Sequence, residues 1–388
     1  MTSLSYWEKQ SFFKGIDVAI IGSGIVGLTT AIYLKKNNPK LVVAIFERGT
    51  LPLGASTRNA GFACFGSMTE LRDDLSTKSE EEVFNLVGNR WQGLMNLRQL
   101  VGDKILHYKP YGGYEIFKKE ESTLFDKCAE LIPYFNKTLQ PIIGNSTVFN
   151  IVDPKIIKYG FDGIAHIIHN TAEGQLNTGE MMSALLKTAN RLSIKTFFGI
   201  NISSLQDAGN QAMITTDQGW EITVGKVLVA TNGFARQLLP DLKLMPARNQ
   251  VLITEPIKNL PFRGAFHYDR GYFYFRNVEE LGNTKTQRIL LGGGRNLTPD
   301  IEQTSEFGHT QIIQQALEKL LREVILPKRE VKVESWWSGI LGVGEMKKPI
   351  VEMVGPSIGV AVRLGGMGVA IGSAIGKQAA AMLMERAD

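Results

Sequence analysis

One stretch constrains this chain more than any other: Ile16 to Glu47, IDVAIIGSGIVGLTTAIYLKKNNPKLVVAIFE. Ile16–Ile21 is a short apolar run of the kind that forms a buried parallel strand. Gly22, Ser23, Gly24, Ile25, Val26 and Gly27 follow as G-x-G-x-x-G, and Leu28–Lys36 continues at helical spacing until Asn37, Asn38 and Pro39 stop it. Leu41–Phe46 is a second apolar strand, ending on Glu47. The pattern predicts a complete βαβ dinucleotide-binding unit. Gly22 permits the tight turn, Gly24 lets backbone amides approach a pyrophosphate, and Gly27 lets the helix lie against the strand. The helix N-terminus offers unpaired donors and the positive end of its dipole to phosphate. Glu47, twenty residues past Gly27, falls where a carboxylate accepts from a ribose hydroxyl, and an acid there disfavours the 2′-phosphate of NADP. Which dinucleotide binds is not settled by this unit.

At 388 residues the chain is long for one core, so two domains are expected. A composition of 44% hydrophobic and 21% charged residues is that of a soluble globular protein, and the net charge of +5 is scattered, which argues against a nucleic-acid surface. Cys64 and Cys128 are the only cysteines and have no metal spacing, so neither a disulfide scaffold nor a metal site is expected. Residues 1–15 carry Glu8, Lys9 and Lys14 and lack the apolar core of a signal peptide. The apolar run Val18–Leu34 has glycines where the nucleotide fold needs them, so it is not read as a membrane span. A cytoplasmic location is the resulting expectation.

Further along, Tyr6 and Trp7 are expected to pack an N-terminal arm onto the first domain. Gly54–Phe62 (GASTRNAGF) is a small-residue loop placed to touch a second phosphate and ring, although a plain Gly/Ser loop has the same composition. Helices are expected over Glu80–Val101, Ser122–Leu139, Gly179–Leu192, Thr310–Val324 and Val369–Met384. Short strands are expected over Ile105–Phe117, near Thr147–Val152, within Ile194–Leu205, and over Val224–Ala230 and Val360–Leu364. Residues 239–327 read as β-rich, including Arg248–Glu255, Gly271–Arg276 and Arg288–Gly294. The return to an apolar strand at Val224–Ala230 makes the nucleotide domain discontinuous: residues 1–105, 158–236 and 328–388, with a second domain from 106–157 and 237–327.

Taken in order, GSGIVG with Glu47, GASTRNAGF, EGQLNTG, ATNG, GYFYFR with LGGG, W-x-G and LGGMGVA resemble the FAD-dependent amine and amino-acid oxidoreductases typified by D-amino-acid oxidase and glycine oxidase. The opening SYW and GAS-x-RN-x-G are most similar to the gamma-glutamylputrescine oxidoreductase branch. The resemblance covers nearly the whole chain. It implies an α/β fold: a Rossmann-like FAD domain of the glutathione-reductase type, and a discontinuous α+β substrate domain on a mainly antiparallel sheet. It implies that Gly22 to Gly27, Glu47 and Arg48 hold the ADP half of FAD, with Ile202, Ala230, Thr231, Asn232 and Gly233 flanking that half. Ser56, Thr57, Arg58, Asn59, Ala60, Gly61 and Phe62 would run beside the pyrophosphate, ribityl chain and ring. Gly339 is assigned to the cofactor from the W-x-G segment, and Gly365, Gly366, Met367, Gly368 and Val369 place a helix N-terminus near the flavin, where an anionic reduced ring is stabilised. The chemistry implied is hydride transfer from the amine-bearing carbon to flavin N5, then imine hydrolysis. Oxygen or another electron acceptor completes the cycle; no nucleic acid and no integral membrane segment is expected, and a homo-oligomer is left open. The alternatives are a glycine, D-amino-acid or N-methyl amino-acid oxidase and, from another class, a non-catalytic FAD-binding or tRNA-modification module, which the missing basic patch opposes.

In GYFYFR, strand alternation puts Tyr272, Tyr274 and Arg276 on one face and Phe273 and Phe275 on the other. Tyr272 matches the family's substrate-facing tyrosine as well as a packing residue; for Tyr274 packing is favoured. Arg276 is weighed between a substrate anion and a domain-interface acid. Cys64 is read as a buried hydrophobe, so the FAD is expected to be non-covalent. The five histidines, His166 and His169 among them, have no triad or ligand spacing and are read as structural or surface groups. The family's amino-acid oxidases carry a carboxylate-clamping Arg after W-x-G; here Gly339-Ile340-Leu341-Gly342 has none, which points away from simple α-amino acids.

Overall fold

In the computed structural model, which describes residues 3–280 and 283–385, strand Val18–Ile21 lies inside a six-stranded sheet. The strand order is Ile350–Met353, Ile358–Val362, Lys226–Val229, Val18–Ile21, Val43–Glu47, Lys195–Phe198, all parallel except the first. Its central strands are buried on both faces, which is why they read as unbroken apolar runs. Helix Ile25–Asn37 packs against Gly368–Met384, and the latter against Glu80–Val101. Small residues allow the approach: a Cβ at Gly372 would press on Ile25, one at Gly376 on Thr29, and one at Gly93 on the Ala370 carbonyl. A three-stranded sheet, Ile202–Asp207, Ala212–Thr216 and Glu221–Val224, contributes to the core on the other side, where Phe13, Phe46 and Phe197 cluster.

The second layer system is a nine-stranded sheet, mainly antiparallel, running Val333–Val343, Met245–Thr254, Asn283–Gly293, Phe273–Glu280, Ala265–Tyr268, Gly113–Lys118, Ile164–Asn170 and Phe149–Ile151, with Ile257–Lys258 beside Asn283–Gly293. The pair Ala265–Tyr268 and Gly113–Lys118 is parallel. One face carries a Phe-rich core (Phe161, Phe262, Phe266, Phe275) with helix Gln311–Leu320.

The expected α/β architecture and most of its elements are present, and helix Glu80–Val101 has the expected limits. Four readings differ. Residues 103–106 form a helix, so only Gly113–Lys118 of the Ile105–Phe117 stretch is a strand. Ser335–Gly339, whose sequence reads as the approach to a Gly-rich loop, lies instead within strand Val333–Val343, because Met245–Thr254 pairs with it. Tyr6 and Trp7 stack edge-on against each other at 66% and 74% exposure; the arm is instead pinned by buried Phe13. Finally, strands Ile164–Asn170 and Val333–Val343 belong to the large sheet, although the sequence boundaries gave 158–236 and 328–388 to the nucleotide domain. Strand pairing is non-local, and hydrophobic pattern does not name the partner.

Candidate functional site

The carboxyl ends of strands Val18–Ile21 and Val43–Glu47 open into a cleft with about 1220 Å³ of empty space, its solvent mouth included. Gly22, Gly24, Ile25, Val26, Glu47, Arg48, Ser56, Asn59, Ile202, Ala230, Thr231, Asn232, Gly366, Gly368 and Val369 line it. Of the residues predicted to touch a cofactor, Ser23, Gly27, Thr57, Arg58, Ala60, Gly61, Phe62, Gly233, Gly339, Gly365 and Met367 are not part of that lining. Lining residues that the sequence reading missed include Met181, Asn201, Phe234, Gln237, Ile340 and Leu341. They come from separate elements and carry no local motif.

The glycine turn is built as its spacing requires. Gly22 has φ +103°, and a Cβ there would stand 3.0 Å from the Ala230 carbonyl oxygen. A Cβ at Gly27 would run into the Gly22 carbonyl, so this glycine serves helix–strand packing. The first intrahelical bond is Leu28 N–H to the Gly24 carbonyl at 2.9 Å, so the amides of Ile25, Val26 and Gly27 have no acceptor within the helix. Ser56 Oγ accepts from Ile25 N–H at 2.9 Å. Ser23 orients Glu47, whose Oε2 accepts from its N–H at 3.1 Å and its hydroxyl at 2.8 Å, while Oε1 accepts from Gly49 N–H at 3.0 Å. Arg48 lies 3.9 Å over the Phe234 ring. Thr231 Oγ1 is buried without a partner in the cleft wall.

The loop after the second strand folds on itself. Asn59 donates to the Ala55 and Ser56 carbonyls and accepts from Gly61 N–H. Thr57 donates to the Pro52 carbonyl at 2.7 Å. Arg58 donates to the Ser338 carbonyl at 3.0 Å and covers Phe307, and Trp337 Nε1 donates to the Arg58 carbonyl at 3.0 Å. Arg58 thus ties the loop to strand Val333–Val343. Asn232, at φ +47°, accepts from Arg363 N–H at 3.0 Å, and a Cβ at Gly342 would press on its Oδ1. Gly233 and Gly339 give close packing: a Cβ would meet Leu341 in one case and Arg58 in the other.

Beyond this loop lies one face of the large sheet. Phe62 stands edge-on to Tyr274 at 5.5 Å and to His267 at 5.4 Å. Tyr274, read from sequence as packing, also accepts a hydrogen bond from Asn249 at 2.9 Å. Tyr272 precedes the strand and is half exposed. Arg276 is 6% exposed and beside Gly61, whose Cβ would stand 3.0 Å from Nη2. Its guanidinium has no hydrogen bond or ion pair among the described residues, and Nε is a buried donor without a partner. Burial lowers its pKa to about 10, against the pull of Cys64 and Glu279. The interface acid weighed as its partner is therefore not there. Arg248 differs: it grips Glu302 with two bonds of 2.9 Å. Cys64 lies outside the cleft lining, with its thiol 3.9 Å from the Gly174 carbonyl.

The family model for FAD-dependent oxidoreductases (DAO) matches residues 17–382. The chain belongs to this family. The chain is 24% identical over 241 residues to a bifunctional ThiO/ThiG protein of Synechocystis sp.; the match takes in 61% of this chain and spans 32% of that protein's length. Its fold is that of L-proline dehydrogenase from P. horikoshii (TM-score 0.74, 18% identity, 95% of this chain and 93% of the other). It is likewise that of glycine oxidase from Bacillus cereus (TM-score 0.73, 16% identity, 95% and 97%) and of iminodiacetate oxidase from Chelativorans sp. (TM-score 0.74, 17% identity, 95% and 96%). FAD is its cofactor, and the cleft fits it: the positive-φ turn at Gly22 keeps side chains away, and the amides of Val26 and Gly27 and the unpartnered Thr231 hydroxyl are donors for a dinucleotide. Among the described residues no helix is long and apolar enough to cross a membrane.

Proposed function

We propose that the protein oxidises the C–N bond of a small amine or amino acid whose negative charge is met by Arg276. The observation that carries this reading is the unpaired, buried guanidinium beside Gly61. A buried cation without a partner is costly, and an anionic ligand that supplies bidentate bonds offsets that cost. Bound FAD supplies the acceptor for the electron pair. The Gly22–Gly27 turn, Glu47 and Thr231 would hold its ADP half, and the helix that begins at Gly368 would offer its positive end to the ring. Phe62, Tyr274 and Trp337 form one apolar cluster with buried Ala60, Val251 and Leu290, which keeps water from the reacting side. Tyr272 stands at the exposed rim as the aromatic that a substrate passes. The names of the similar structures support an amine that also bears an acid: L-proline, glycine and iminodiacetate each combine the two. Ile340, not an arginine, faces the cleft after W-x-G, so the anion sits farther from the reacting carbon than in a simple α-amino acid. The test is anaerobic bleaching of the flavin by a panel of amines and amino acids. Failure of every amine to bleach it, in protein loaded with FAD, removes this reading.

A further inference from the structure

Cys64, Glu173 and His267 come from segments far apart in the chain and meet inside the protein. Cys64 follows the cofactor loop, Glu173 sits in the turn before the short strand Gly174–Gln175, and His267 is on strand Ala265–Tyr268. One donor atom from each lies within 4.8 Å of the other two. Cys64 and Glu173 are 3% and 1% exposed. Nε2 of His267 is enclosed and has no hydrogen-bond partner, an uncommon state for a buried polar atom. Glu173 is held in place because Oε1 accepts from Phe65 N–H at 2.8 Å and Gly66 N–H at 3.1 Å, which leaves Oε2 outside those bonds. Phe62, edge-on to the imidazole, fixes the ring plane.

We propose that Cys64, Glu173 and His267 form a binding site for a divalent transition-metal ion of the zinc class. A thiolate, a carboxylate and an imidazole are the donor set that zinc takes and that calcium and magnesium, which need several oxygens, do not. Binding releases the Cys64 thiol proton to solvent, and thiolate and carboxylate together neutralise the ion. That neutrality matters here, because the Arg276 cation interacts with Cys64. Ligand bonds of about 2.0–2.3 Å set ligands about 3.5 Å apart, so the triad closes by about 1 Å, within reach of a rotation of the Cys64 side chain. Glu173 and His267 also line a small cavity with Asn170, whose Nδ2 is buried and unpartnered, and a water completing the coordination would find a donor there. The ion would join the end of the cofactor loop to the large sheet, bracing one wall of the site from outside the cofactor cleft.

The experiment uses the FAD-loaded protein and reads metal, not turnover, so it is independent of the substrate assignment. Elemental analysis of the purified protein should give about one zinc per chain. After chelation, added cobalt(II) should produce ligand-field bands to the red of the flavin spectrum, the signature of tetrahedral coordination with a thiolate. Cys64→Ser should shift and weaken these bands. His267→Gln, which keeps a polar group of similar size, should abolish stoichiometric zinc while the flavin content stays normal. Should Cys64→Ser fail to fold, Cys64→Ala and His267→Gln give the same reading. Wild-type protein that neither carries zinc nor develops cobalt bands overturns the site. So does zinc retained in full by His267→Gln, or a crystal structure with only a water on His267 Nε2.

Discussion

The cofactor cleft and the sheet face beside it differ in how far apart in the chain their parts lie. Gly22, Gly24, Glu47 and Ser56 are carried by one strand–helix–strand–loop run, and their spacing alone puts them around one cleft. On the sheet face, His267 stands opposite Tyr274 and Glu115 only because Ala265–Tyr268 pairs antiparallel with one strand and parallel with another. The sheet shows two fates for an arginine, one on each of its faces. Arg248 is paired with fully buried Glu302, whereas Arg276 is buried alone. A paired buried charge is a structural part, whereas the unpaired one is where the proposed substrate anion would bind.

Breaking the pair should therefore cost most. Arg248→Ala leaves Glu302 without its partner in a buried site, and removal of one member of such a pair costs about 3–5 kcal/mol. Arg276→Ala leaves no stranded acid behind and should not lower the denaturation midpoint. Denaturant unfolding of the two variants decides it. Equal losses of stability would erase the distinction between the arginines.

On the cleft side, Gly24→Leu should cost the flavin. Its Cβ would begin 3.1 Å from Ser56 Oγ and displace the hydroxyl that accepts from Ile25 N–H, at the place where backbone approaches pyrophosphate. We expect FAD to bind at least about a hundredfold more weakly, or about 2.7 kcal/mol, and the protein to purify colourless. Yellow protein with wild-type FAD content would remove the cleft from the cofactor assignment. The flavin that wild type carries should pass wholly into the supernatant on acid precipitation, since Cys64 lies outside the cleft lining.

What the sequence made legible follows the same division. The limits of helix Glu80–Val101 are readable because Ser79 and Glu82 form a capping box and Gly102 ends the last turn. The cofactor loop is readable because Asn59 closes it locally on Ala55, Ser56 and Gly61. Arg248 and Glu302 are 54 residues apart, and Cys64 and Glu173 109 apart, so no window along the chain shows either contact. The histidines have no ligand spacing because a site assembled across sheets needs none. Tyr6 and Trp7 misled for a related reason: apolar character alone does not say whether a surface exists to cover it.

The substrate side sharpens the contrast between the arginines. A charge-assisted contact is worth about 1.5–3 kcal/mol, so Arg276→Ala should raise KM for an anionic amine by about ten- to a hundredfold and leave flavin content unchanged. Arg248→Ala, assayed where it is folded, should leave KM alone. Substituted or longer amines should reduce the flavin faster than glycine or D-alanine, because Ile340 replaces the clamp near the reacting carbon. If glycine or D-alanine is the best substrate and Arg276→Ala has no effect on KM, the anion assignment is wrong.

The smallest expected effect concerns Glu115, which the pairing of Gly113–Lys118 with Ala265–Tyr268 sets opposite His267. Burial pushes its carboxyl up to about 7 from an ordinary 4.5, although Thr69 and Ser67 donate hydrogen bonds to it. The unfolded chain gives up this proton near 4.5 and the folded chain near 7, so between those values unfolding releases a proton. Raising the pH across that window therefore favours the unfolded chain, and the contribution fully present below 4.5 is gone above about 7. In Glu115→Gln the amide oxygen still accepts from the Ser67 and Thr69 hydroxyls, the bond from Thr69 N–H is lost, and there is no proton to lose. Its Tm should thus fall less than that of the wild type between pH 5 and pH 8, by about a few degrees. Parallel Tm profiles for the two proteins would mean that the carboxylate is ionised in the fold throughout, and that this end of the sheet face is wetter than its burial implies.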